Sequence, residues 1–166
     1  LLNSLMPNPA TLQRPNFDIL GYNAAFCRLM GVDLDTVPIA ERNCIYQYLT
    51  NAQWRSRLCD ESMLLPLYVA YFRAGMAEYR GDPRWEELLE RFFAVSSRFY
   101  ELWQQHYEIR SIENHIQHFI HPRHGHFTLQ QMNWFSAPRN GSRLLVFLPQ
   151  DAEGERILGE LAQQTH

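Results

Sequence analysis

The chain opens on alternation. Ala10, Leu12 and their neighbours suit a first strand, and Pro15 with Asn16 supplies the fixed φ and the tolerant second position that a reversal needs. Residues 17–22 return as a second strand. The period then becomes helical: Ala25, Phe26, Leu29 and Met30 share one face, Asn23 is placed to cap the free first-turn amides, and Gly31 can take the left-handed stop. A hairpin on a helix is common to many α+β domains, so this segment implies a fold class and no activity.

Beyond a loop at residues 32–38, residues 41–58 keep helical spacing through Ile45, Tyr48, Leu49 and Ala52, with a break expected near Thr50 and Asn51. A longer helix is predicted from residue 60 or 61 to 80. It tolerates Pro66 only in its first turn, and its apolar positions are spread so widely that it must be covered on more than one side. Gly81, Asp82 and Pro83 end it, and helices over 85–95 and 97–107 follow with a hinge near Ser96. After Ile109 the period returns to two. Strands are predicted over 111–121, 125–135 and 143–148, with turns at Pro122 and Gly125 and at Pro138, Asn140 and Gly141, then a helix over 151–164. In the middle strand, one β-bulge near Gln130 would bring Phe127, Leu129, Met132 and Trp134 to the same core face. The sum is an α+β domain: a five-stranded antiparallel sheet with helices on one face, and room between the layers for a small ligand.

Composition narrows the class. With 166 residues and 46% hydrophobic content the chain fills one core, read as a single domain over residues 1–166. Three cysteines without a CxxC pair point to reduced thiols and a cytoplasmic setting. No stretch approaches the roughly 20 apolar residues of a membrane helix, and no secretory leader pattern is seen. All 15 basic residues are arginine, and 18 acids bring the charge to −3, which argues against DNA binding by this segment itself. The first residue is Leu1 rather than methionine, so a longer parent polypeptide is expected.

Six phrases in order carry a family resemblance: DILGYNAAFCRLMG at 18–31, ERN at 41–43, YFRAG at 71–75 followed by GDP, FYELWQQH at 99–106, HPRHGHFTL at 121–129 and RLLVFLPQD at 143–151. On these the chain resembles the MmyB-like regulators, whose PAS-like ligand-binding domain follows an N-terminal helix-turn-helix of the XRE type. The resemblance implies a cytoplasmic transcription regulator, a homodimer in which the missing N-terminal part reads DNA. This part would sense a small amphiphile such as a long-chain fatty acid. Tyr22 stands where the family usually has tryptophan, and His115 and His118 where it tends towards Arg or Lys. These departures bear on the ligand's chemistry more than on the fold.

Candidate ligand contacts follow. Arg73, on a helix apolar on several sides, either snorkels to water or turns inward to offer a carboxylate its bidentate fork. Arg42 and Asn43 sit at a helix start, where they shape a cap or reach a ligand. Trp103 and His106 lie three apart on one helical face and could supply two directional N–H groups. Tyr48, Tyr68, Tyr71, Phe72, Trp103 and Trp134 are candidate walls. Ten buried methylenes at about 0.8 kcal/mol each give roughly 8 kcal/mol gross, so a tail would dominate affinity. The competing signal is His115, His118, His121, His124 and His126, which could ligate a metal through the stretch from His118 to His126. His124 falls in a predicted turn, and no acid or cysteine completes a familiar spacing. No GxSxG, CxxC or Gly-rich phosphate loop is present, so neither an enzyme nor a cofactor is expected.

Overall fold

Helix starts in this chain are written by short polar side chains. Asn23, Asn43, Asn51, Asp82 and Asp151 each accept a first-turn amide with the side-chain oxygen, an interaction of typically about 1 kcal/mol apiece. The computed structural model describes residues 1–105, 109–136 and 141–164. Its helices are α1 (Ala24–Met30), α2 (Cys44–Thr50), α3 (Ala52–Ser56), α4 (Glu61–Glu78), α5 (Pro83–Val95), α6 (Ser97–Gln105) and α7 (Ala152–Ala162). Its strands are β1 (Ala10–Gln13), β2 (Ile19–Tyr22), β3 (His115–His121), β4 (Gly125–Phe135) and β5 (Arg143–Pro149).

The strands form one antiparallel sheet in the order β2-β1-β5-β4-β3. The opening hairpin and the closing meander therefore meet at β1 and β5, where Gln13 lies opposite Arg143. One face carries Leu129, Leu145 and Phe147 into the core. Gly31 stops α1 at φ 69° as expected, and Gly81, Asp82 and Pro83 separate α4 from α5.

The break expected near Thr50 and Asn51 is found: Asn51 leaves helical geometry to end α2 and caps α3. Three other expectations are corrected. Pro66 is the sixth residue of α4, in its second turn, where it removes a backbone donor that the first turn would not have used. The middle strand has no bulge: β4 keeps an unbroken register with β3 from Gly125 to Gln131 and with β5 from Leu129 to Phe135. Parity then sends Met132 and Trp134 to the face opposite Leu129, and Trp134 is 48% exposed. The preceding strand also starts later, at His115, leaving residues 109–114 irregular. The Pro138 and Asn140 turn lies outside the described residues.

The helical corner is filled by rings. Phe72 stands 4.9 Å from Trp85 and 5.1 Å from Phe92 between centroids, and Phe92 stands 5.2 Å from Phe99. A Cβ at Gly75 would lie 2.6 Å from the Trp85 ring, so glycine is what lets α5 close on α4.

Candidate functional site

Between that corner and the sheet the packing is incomplete. A cavity of about 70 Å³ lies where α4 crosses β1, β5, β4 and β3, floored by Leu145, Phe147 and Phe119 and roofed by Leu64, Leu67, Tyr68 and Tyr71. Phe17 stacks on Tyr71 at 6.4 Å, and Tyr68 stands edge-on to Tyr48 at 5.3 Å. Two openings adjoin the cavity. A groove of about 500 Å³ between the first half of α4 and β3 shares Leu64, Leu67, His115 and Gln117 with it, and a cleft of about 140 Å³ shares Tyr71, Ile112 and Arg143.

Most of its polar groups come from the sheet. Arg143 opens β5 on the core face and is 3% exposed. Its Nη2 donates to Gln13 Oε1 at 2.9 Å, its guanidinium carbon lies 4.8 Å from the Phe17 centroid, and its Nε is buried without a partner. Burial pulls Arg143 down to about 10. The groups nearest it are Cys44, Tyr68 and Tyr71, all neutral at pH 7: burial pushes the Cys44 thiol up to about 12, raises the Tyr68 phenol further and raises Tyr71 as well. Removing a guanidinium from water costs several kcal/mol. One hydrogen bond to a charged group returns about 1.5–3 kcal/mol and a cation–π contact up to about 2 kcal/mol. The charge of Arg143 is thus only partly offset.

Of the residues singled out by sequence, Tyr68 and Tyr71 line the cavity. Arg73 lies against Trp103 instead, its guanidinium 3.9 Å from that ring and donating to the Trp103 carbonyl. Phe72 is fully buried in the ring-filled corner, with Trp103 at its edge. Tyr48 is buried beside the roof with a hydroxyl that finds no partner, and burial lifts it to about 12. Asn43 is a buried cap: its amide nitrogen donates to Asn16 O and Asp18 Oδ1 while its oxygen accepts from Ile45 and Tyr46. Arg42 donates to the Val37 and Asp35 carbonyls. Trp134 is on the far face of the sheet, and His106 lies outside the described residues.

The histidines disperse. His115 lines the cavity with Nε2 3.1 Å from Gln117 Oε1, His121 and His124 pack at 4.9 Å, and His126 faces Cys59 Sγ at 3.7 Å. Among the described residues no three His, Cys, Asp or Glu side chains gather closely enough to hold a metal ion, so the metal alternative gains no support. The residues that sequence reading missed are Gln13, Gln117, Gln131 and Arg143. A usable signal existed for the last: Arg143, Leu145 and Phe147 share one strand parity.

A half-covered antiparallel sheet with a walled chamber under its helices has the architecture that a ligand-binding domain needs. The chain belongs to the MmyB-like transcription regulator ligand binding domain family, whose model matches residues 1–161. The resemblance seen in the sequence is thereby established, as is the α+β fold with its five-stranded antiparallel sheet. A search of curated proteins returned no match.

Proposed function

We propose that this ligand-binding domain takes up a small amphiphile such as a long-chain fatty acid, with the tail threaded through the chamber between sheet and helices. The observation that supports it is an apolar chamber adjoined on two sides by surface openings. One water-sized sphere occupies roughly 10–15 Å³, so about 70 Å³ accommodates only a middle section of a tail. The remainder extends into the groove along α4, where Met63 and Ile116 are 71% and 48% exposed. Loading widens the chamber by shifting unbranched or flexible side chains such as Met30 and Leu67.

The domain acts by binding, not by catalysis, in the cytoplasm, and DNA is read by a separate helix-turn-helix part of the regulator. Ligand alters transcription only if it favours one arrangement of the regulator over another, since equal affinity for both shifts nothing. Paired DNA half-sites call for a homodimer. Among the described residues no helix is long and apolar enough to cross a membrane. Organic extraction of purified protein with mass spectrometry, together with thermal unfolding in hexadecanoic acid, tests the reading. A recovered acyl compound and a raised Tm are expected. Repeated extractions without a lipid-like compound, and no shift on adding the acid, would overturn it.

A further inference from the structure

Resting on that reading, we infer that the head group is a carboxylate and that Arg143, held by Gln13, is the side chain that selects it. Three observations converge on this residue. First, of the two buried arginines among the described residues it is the less compensated: Arg57 donates to the Arg28 and Leu29 carbonyls at the end of α1, though it too leaves its Nε without a partner. Arg143 donates to one amide oxygen, keeps a buried Nε without an acceptor, and meets no carboxylate among the described residues.

Second, its position is at a neck. Arg143, Tyr71 and Ile112 line both the inner chamber and the outer cleft bounded by Tyr79, Ser111 and Gly141. An anion beside the guanidinium would sit at that neck with its tail directed inward, past Leu145 and Phe147. Third, the titratable groups beside the guanidinium do not cancel its charge: Cys44, Tyr68 and Tyr71 stay protonated around it, and Arg110, which also lines the outer cleft, adds positive charge there. Gln13, the register partner of Arg143, orients one nitrogen of the fork.

The test is a matched-tail series of hexadecanoate, hexadecanol and methyl hexadecanoate, titrated into the wild-type chain, Arg143→Met and Arg143→Lys. Wild type is expected to bind the acid 10- to 100-fold tighter than the alcohol or ester. Arg143→Met should bind all three alike, at the wild-type alcohol affinity, and that retained affinity shows the variant folded with its chamber intact. Arg143→Lys, which keeps the charge and loses the fork, should show an intermediate preference. Equal wild-type affinity for acid and alcohol, or a preference that survives in Arg143→Met, overturns the assignment while leaving the tail-binding reading standing. If no member of the series binds wild type, the reading and the assignment fall together.

Discussion

Two aromatic regions of this domain use the same residue types, and only one of them closes. In the helical corner, Phe72, Trp85, Phe92 and Phe99 approach to 4.9–5.2 Å. Beside the sheet, Phe119 and Phe147 also pack at 5.2 Å and Tyr48 and Tyr68 at 5.3 Å, but Phe17 lies 6.2 Å from Tyr68 and 6.4 Å from Tyr71, and the space there is shared with Arg143, Gln13 and Cys44. Rings interdigitate when every surface they meet is apolar. A buried arginine and three glutamines on the sheet face need acceptors and donors that a ring supplies only in part: Phe17 covers the Arg143 guanidinium at 4.8 Å, yet the Nε is left without an acceptor. The cavity is where an apolar roof meets a partly polar floor.

The largest effect expected from perturbing this contrast is in the corner. Phe72→Ala should cost about 3–5 kcal/mol in chemical denaturation, because its neighbours are rigid rings that cannot collapse into the space. A loss below about 1 kcal/mol would mean the corner is as loose as the chamber. Next is Asn43→Ala, which removes two cap hydrogen bonds within α2 and two that join it to the opening hairpin; about 2–3 kcal/mol is expected from the same measurement.

Acid titration probes a place outside both regions. His121 is held at about 4, first by burial and then by Arg57, His124 and Arg123, against an ordinary value near 6.5. Between these values the unfolded chain takes a proton that the folded one refuses. Stability therefore falls as pH drops from about 6.5 to about 4, with a slope of at most about 1.4 kcal/mol per pH unit, reduced by solvent screening at the turn. His121→Gln should flatten that slope. Arg143, at about 10, keeps its charge throughout. The smallest stability effect is expected at the chamber wall: Leu67→Phe fills existing space and should change stability by less than about 1 kcal/mol. It should nevertheless abolish the thermal shift given by hexadecanoic acid.

Local chemistry makes most of the scaffold legible in the sequence. Asn23, Gly31, Asp82 and Asp151 act on neighbouring amides and carbonyls, so residue type and position suffice to place them. Parity in β4 needed more. Phe127 and Leu129 face the core and Trp134 does not, because the strand keeps its register where hydrophobicity alone favoured a bulge. Arg73 was ambiguous for a related reason: α4 is apolar nearly all round, and only the placement of α6 shows that its guanidinium meets Trp103. Arg143 was hidden at the start of an apolar strand, where a charge reads as a terminus unless the alternation through Leu145 and Phe147 is followed.

The contrast between the closed corner and the open chamber is tested most directly by methyl NMR of the chain during titration with hexadecanoic acid. Signals of Met30, Leu64 and Leu145 around the chamber should shift in a saturable manner, while Leu88 in the corner and Leu144 on the far face of the sheet stay in place. Shifts confined to Leu144 and its neighbours, or spread evenly over the whole core, would contradict a tail seated between sheet and helices.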